Sequence, residues 1–288
     1  MTPTISSKDL NSYYKIDRDI FSRIVTVFMC DPAESLLIIA LWLWLEQEGY
    51  PNIISKIINW PRFFLEILIS EAVSALKFLE TNQPPVAPHD GGMNFTSQVM
   101  ERDISLQFFH EKRLDAIDGI KKVLNSVCAK IFTDTLVNHL KVTPIMVNQR
   151  IQVPGFPHEL FGDIEIVWRG FTNYSVPAEV LPWDFPAPEN NISDEENDKT
   201  LFLTFSRGHS VNETDLRGIF SRLCGNDCVA NVHIQKNVSS IAQQPQFARL
   251  VFNFSTNIDR IINGRNIAKF NFGGRHFWGR KYVRGQSN

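Results

Sequence analysis

At 288 residues the chain has room for two domains, and an apolar content of 43% is that of a globular protein, which excludes a disordered or low-complexity chain. The net charge of -2 conceals an asymmetry: residues 199–288 carry 13 Lys or Arg against 4 Asp or Glu, a net +9, and the rest carries 16 against 27, a net -11. A basic module on an acidic body implies either an anionic partner for the module or attraction between the two halves.

In chain order, residues 1–16 read as a polar, disordered tail. Ile20, Phe21, Ile24, Val25 and Phe28 then recur at the spacing of an amphipathic helix. Asp31-Pro32-Ala33-Glu34 is a compact helix start: Asp caps, Pro takes the first helical position and Glu completes the box. The run 35–45 (SLLIIALWLWL) is apolar almost throughout. At 11 residues it is too short for a bilayer, which needs about 20, so a buried core helix is expected and no membrane partner. A short helix is expected over 52–58 and a longer one from Trp60-Pro61 to about Glu80, lined by Phe63, Phe64, Ile67, Leu68, Ala72, Leu76 and Leu79. A link rich in Pro and Gly follows over 81–92, then helices over 95–110 and 114–140. Residues 17–141 therefore read as an all-helical domain with the character of an interaction or packing module.

Residues 142–198 read as an irregular Pro-rich and acidic connector, with one strand over 164–168 and a flexible stretch over 189–198. Trp183 and Phe185, in VLPWDFPAP, have no regular element around them and are expected to pack locally, on a neighbouring domain or on a partner.

From 199 to 284 the pattern reads strand, helix, strand, strand, helix, strand. TLFLTFS (200–206) is rich in β-formers. Ser210-Val211-Asn212-Glu213 is a capping box before Leu216, Ile219, Phe220 and Leu223 at helical spacing. Cys228, Ala230, Val232 and Ile234 alternate with Val229, Asn231, His233 and Gln235, the period of a half-buried strand, and FARLVFNF (247–254) gives a third strand. Thr256 to Asp259 is a second capping pattern, and Asn263-Gly264 stops the helix that follows. The last strand is expected over 277–283.

This order resembles an RNA recognition motif (RRM). Leu201 to Ser206 is similar to the hexamer of the family's first strand and places Phe202 on the open sheet face. Residues 245–252 (PQFARLVF) are the best register for the octamer of the third strand. Phe247, Ala248, Leu250 and Phe252 keep that pattern; the opening basic residue, the Gly and the second stacking aromatic, here Arg249, do not. The resemblance implies an α+β chain: a helical domain followed by a βαββαβ ferredoxin-like domain. It also implies single-stranded RNA as partner, with Phe202 and Phe247 each stacking a base, Thr204 beside them, Arg249 stacking or taking phosphate, and Arg280, Lys281 and Arg284 holding backbone. A second reading is a peptide receptor. Arg275-His276-Phe277 matches the Arg-x-Phe of the RRM variants of splicing auxiliary factors, in which that loop grips a partner's Trp with help from an acidic first helix. Here the first helix offers Glu213 and Asp215 against Arg217 and Arg222. The N-terminal half is similar to plant proteins that join a helical region, with a DPAES…ALWLWLE-like segment, to a C-terminal RRM. That likeness brings no mechanism with it.

Cys30, Cys128, Cys224 and Cys228 are expected as free thiols of a reducing compartment, nucleus or cytoplasm rather than a secreted setting. Cys224-x-x-x-Cys228 with His233 is read as a helix end and a strand start rather than half a metal site. No phosphate loop, nucleophile elbow or zinc signature appears, so neither catalysis nor a cofactor is expected.

Overall fold

The computed structural model describes residues 4–81, 92–170, 173–177, 194–209, 211–235 and 245–282. The chain is α+β and divides into two compact units, Thr2–Glu179 and Val180–Asn288.

The first unit opens with strand β1 (Thr4–Ser6) and helix α1 (Ser7–Tyr13), where a disordered tail was expected. Leu10 and Tyr13 are buried, and β1 pairs antiparallel with a strand some 170 residues further on, so the segment is held by contacts that local sequence does not announce. Helices α2 (Lys15–Thr26), α3 (Pro32–Gln47), α4 (Ile53–Ile57) and α5 (Arg62–Thr81) follow the expected pattern. The Asp31 carboxylate accepts from the backbone N–H of Ala33 (2.8 Å) and Glu34 (3.4 Å), with Pro32 inside the first turn. Every residue from Leu36 to Leu45 is buried, because α3 is ringed by α2, α5 and the later helix α8. Among the described residues no helix is long and apolar enough to cross a membrane.

The two long helices expected next are broken. The first becomes α6 (Asn94–Met100) and α7 (Leu106–Glu111): Glu101 turns left-handed (φ 55°), and Ser97 and Ile104 exchange two hydrogen bonds through the Ser97 hydroxyl. The second becomes α8 (Arg113–Val123), a π turn (Leu124–Cys128), α9 (Ala129–Ile131) and α10 (Thr133–His139). Short strands β2 (Gln149–Ile151) and β3 (Ile166–Trp168) pair antiparallel, and β4 (Ser175–Pro177) is the partner of β1. Much of the expected connector thus belongs to the helical unit.

The second unit contains α11 (Asp194–Asn197), β5 (Thr200–Phe205), α12 (Glu213–Cys224), β6 (Val229–Ile234), β7 (Phe247–Phe252), α13 (Ser255–Ile262), β8 (Ala268–Phe272) and β9 (Arg275–Lys281). The strands form one antiparallel sheet in the order β6-β7-β5-β9-β8. Of the expected capping boxes, Ser210 lies outside the described residues. Asn212 caps α12, accepting from the Asp215 N–H at 2.7 Å, and α13 starts without a side-chain cap. Strand β8 was not expected. It reaches β9 through Gly273-Gly274, both at positive φ, a turn that glycine alone makes without strain. One face of the sheet packs Leu201, Leu203, Phe205, Leu250, Phe252 and Phe277 against Leu216, Ile219 and Phe220 of α12 and Ile258 and Ile262 of α13.

Candidate nucleic-acid interface

Side chains alternate along a strand, so register decides which residues share the sheet face away from α12 and α13. Phe202 is opposite Arg249 on one side and Arg280 on the other, and His233 extends that row on β6. Thr204 is opposite Phe247 and Trp278, with Lys269 beyond. Five of the seven expected RNA contacts, Phe202, Thr204, Phe247, Arg249 and Arg280, are therefore gathered on one face. The Phe202 and Phe247 rings stack with centroids 5.4 Å apart at 26°. The Arg280 guanidinium lies 4.8 Å from the centroid of the Phe202 ring, and Arg249 lies 5.9 Å from that of Tyr282.

Lys281 is not part of this face. It is opposite Leu201, hence on the helix-bearing side, where its ammonium pairs with Asp259 of α13 at 2.6 Å. Arg284 lies outside the described residues. Trp278 and Tyr282 were missed. Once β9 is in register, His276, Trp278, Arg280 and Tyr282 fall on one face by simple alternation.

The face is also not open. Phe202 and Thr204 are 0% exposed, Trp278 2%, and Arg249 and Tyr282 6% each. Only edge residues such as His233, Asn231 and Lys269 are exposed. The burial extends over the central strands β7, β5 and β9, and among the described residues the hydroxyls of Thr204 and Ser206 have no hydrogen-bond partner.

The peptide-receptor residues have other duties. Phe277 lies inside β9 rather than in a loop, is 0% exposed, and stacks on Phe270 with centroids 5.0 Å apart in the core. It therefore has no surface with which to grip a Trp. Arg275 pairs with Asp215 of α12 at 3.4 Å, which uses the acidic group that reading required.

On the helical unit, Phe63 (66% exposed) and Phe64 are exposed beside Trp60, whose ring lies 6.0 Å from that of Phe64; Arg62 spans to the Phe28 ring at 5.5 Å, and Met29, next in the chain to Phe28, is exposed as well. Among the described residues no group of three or more His, Cys, Asp or Glu is placed to hold a metal ion. All four cysteines are free thiols. Burial, with the Glu34, Asp31 and Glu66 carboxylates nearby, pushes the Cys30 thiol up. Alkylation of Cys30 by iodoacetamide, read by peptide mass spectrometry, is expected to keep accelerating past pH 9.0; a rate that plateaus below that pH would contradict this placement.

Neither the models of known protein families nor the curated proteins give a match to this chain.

Proposed function

We propose that the C-terminal unit is an RRM-like module that binds single-stranded RNA on the face carrying Phe202, Phe247, Arg249 and Arg280, and that the protein acts by binding rather than by catalysis. The observation that carries the reading is the strand order β6-β7-β5-β9-β8 with α12 and α13 on one side, which is the order of a βαββαβ ferredoxin-like sheet extended by one hairpin strand. That order puts a stacked aromatic pair, flanked by two guanidinium groups, on the two central strands. Base stacking on such rings contributes roughly 1–3 kcal/mol per base. The unpaired Thr204 and Ser206 hydroxyls beside them are of the kind that read a base edge, and leaving them buried without a partner costs roughly 1–3 kcal/mol each.

The burial of the face has a direct consequence for this reading. RNA reaches Phe202 and Thr204 only in molecules in which they are exposed, so apparent affinity is scaled down by that fraction. The exposed Phe63, Phe64 and Met29 side chains support protein recruitment by the helical unit, the second half of the proposal. The peptide-receptor alternative is less favoured, because Phe277 is a core residue.

Anisotropy titration of a pool of short single-stranded RNAs at two salt concentrations tests the proposal. Binding should weaken with salt, and Arg280→Gln should reduce the slope of log K against log salt by about 1. A salt slope identical in the Arg280→Gln protein would remove Arg280 from the interface.

A further inference from the structure

Cys224 and Cys228, with three residues between them, lie on either side of the corner from α12 to β6. Cys224 is the last residue of α12. Gly225 leaves the helix at φ 99°, and Asp227 at φ 59° turns the chain back, so Cys228 returns against the helix end. There the Cys228 thiol donates to the Phe220 carbonyl at 3.3 Å. A helix carbonyl points at the amide four residues on, which for Phe220 is that of Cys224, so the Cys228 sulfur lies beside Cys224. The two thiols interact directly, and each alters the proton affinity of the other. Among the described residues neither Cys30 nor Cys128 has a thiol neighbour.

The two sulfurs differ in access. Cys228 is buried in the core between the sheet and the helices, whereas Cys224 is half-buried at the edge of that core. A molecule in solution therefore meets Cys224 first. Burial pushes both thiols up, and the Arg260 guanidinium of α13 opposes that rise at Cys224. The more accessible thiol is also the one with a cation beside it, which is the setting of an attacking cysteine with a second thiol behind it.

We infer that Cys224 and Cys228 form a reversible dithiol–disulfide pair that exchanges with small-molecule disulfides, Cys224 attacking and Cys228 resolving. The Cys224 thiolate bonds to one sulfur of the incoming disulfide, whose S–S bond breaks and releases a thiolate. The Cys228 thiolate then attacks the Cys224 sulfur, closing the protein disulfide and releasing the second thiolate. The two protons given up by the cysteines end on the two released thiols, and the incoming disulfide takes the two electrons. The corner is already folded back on itself in the dithiol state, so the reaction ties the end of α12 to the start of β6 without unfolding either.

The test is equilibration of the full chain with oxidised and reduced glutathione, quenching with N-ethylmaleimide and peptide mass spectrometry. Trypsin leaves both cysteines on one peptide, residues 223–236, so the disulfide reads as the loss of two hydrogens from that peptide. That loss should appear in the folded chain and reverse with excess reduced glutathione. The equilibrium constant for oxidation should be about tenfold or more higher in the folded chain than in urea, because the fold holds the thiols side by side. Cys228→Ala should stop at a glutathione adduct on Cys224. No disulfide in peptide 223–236 of the folded chain, an equal constant in urea, or a glutathione adduct that persists on Cys224 of the wild type would overturn the assignment.

Discussion

Phe202→Ala is expected to destabilise the C-terminal unit by about 3–5 kcal/mol, the usual cost of truncating a fully buried Phe. The ring is 0% exposed on the central strand, stacked on Phe247, covered by the Arg280 guanidinium and packed with Tyr282. Its removal leaves a cavity between side chains that are held by the sheet and cannot collapse into it. The check is urea unfolding followed by a probe of the C-terminal unit, where the midpoint should fall with little change in slope. A loss below about 1 kcal/mol, as expected for an exposed residue, would show that the face is open in solution. The result also governs how RNA experiments are read, since a Phe202→Ala protein that fails to bind RNA has simply lost its fold. Arg280→Gln, at a half-exposed side chain, separates binding from folding.

Glu71→Ala should cost the helical unit about 3 kcal/mol or more. Glu71 is a buried carboxylate on α5 whose oxygens accept from the Phe95 N–H (3.0 Å), the Thr96 N–H (2.7 Å) and the Thr96 hydroxyl (2.6 Å). It therefore serves as a remote cap for α6, which has no side-chain cap at Met93. Truncation leaves three donors without a charged acceptor. Glu71→Gln keeps one oxygen but turns an N–H donor toward the others, so an intermediate loss is expected. Amide hydrogen exchange at Phe95 and Thr96 should rise before the rest of the unit does; unchanged protection there in Glu71→Ala would contradict the capping role.

Helix α3 was legible because its signals agree: Asp31 caps, Pro32 takes the first turn, and an unbroken apolar run demands burial on all sides. The sheet order of the C-terminal unit follows the expected element order for the same reason, since β5, β6 and β7 are each bounded by clear helix or turn signals. Strand β8 was not legible, because AKFNF has the alternation of a strand but joins β9 through a turn whose only mark is Gly273-Gly274. Nor were β1 and β4, three residues each, whose pairing rests on long-range contact rather than on local pattern. The burial of Thr200, Phe202 and Thr204 was not legible, because they alternate with Leu201, Leu203 and Phe205 as the residues of a half-open face would. Lys281 was expected to act with Arg280, yet neighbours along a strand face opposite sides of the sheet, and Phe277 was expected in a loop but lies within β9.

Direct comparison of RNA affinity between the full chain and residues 194–288, with the same labelled single-stranded RNA and the same salt, tests the central claim. If the Phe202–Phe247 face binds RNA, residues 194–288, which carry every named residue of that face, should bind it with an affinity that falls as salt rises, and Arg280→Gln should weaken binding by both chains. Absence of binding by residues 194–288 at high micromolar RNA, with the sheet still folded by circular dichroism, would contradict the RNA-binding reading of this face.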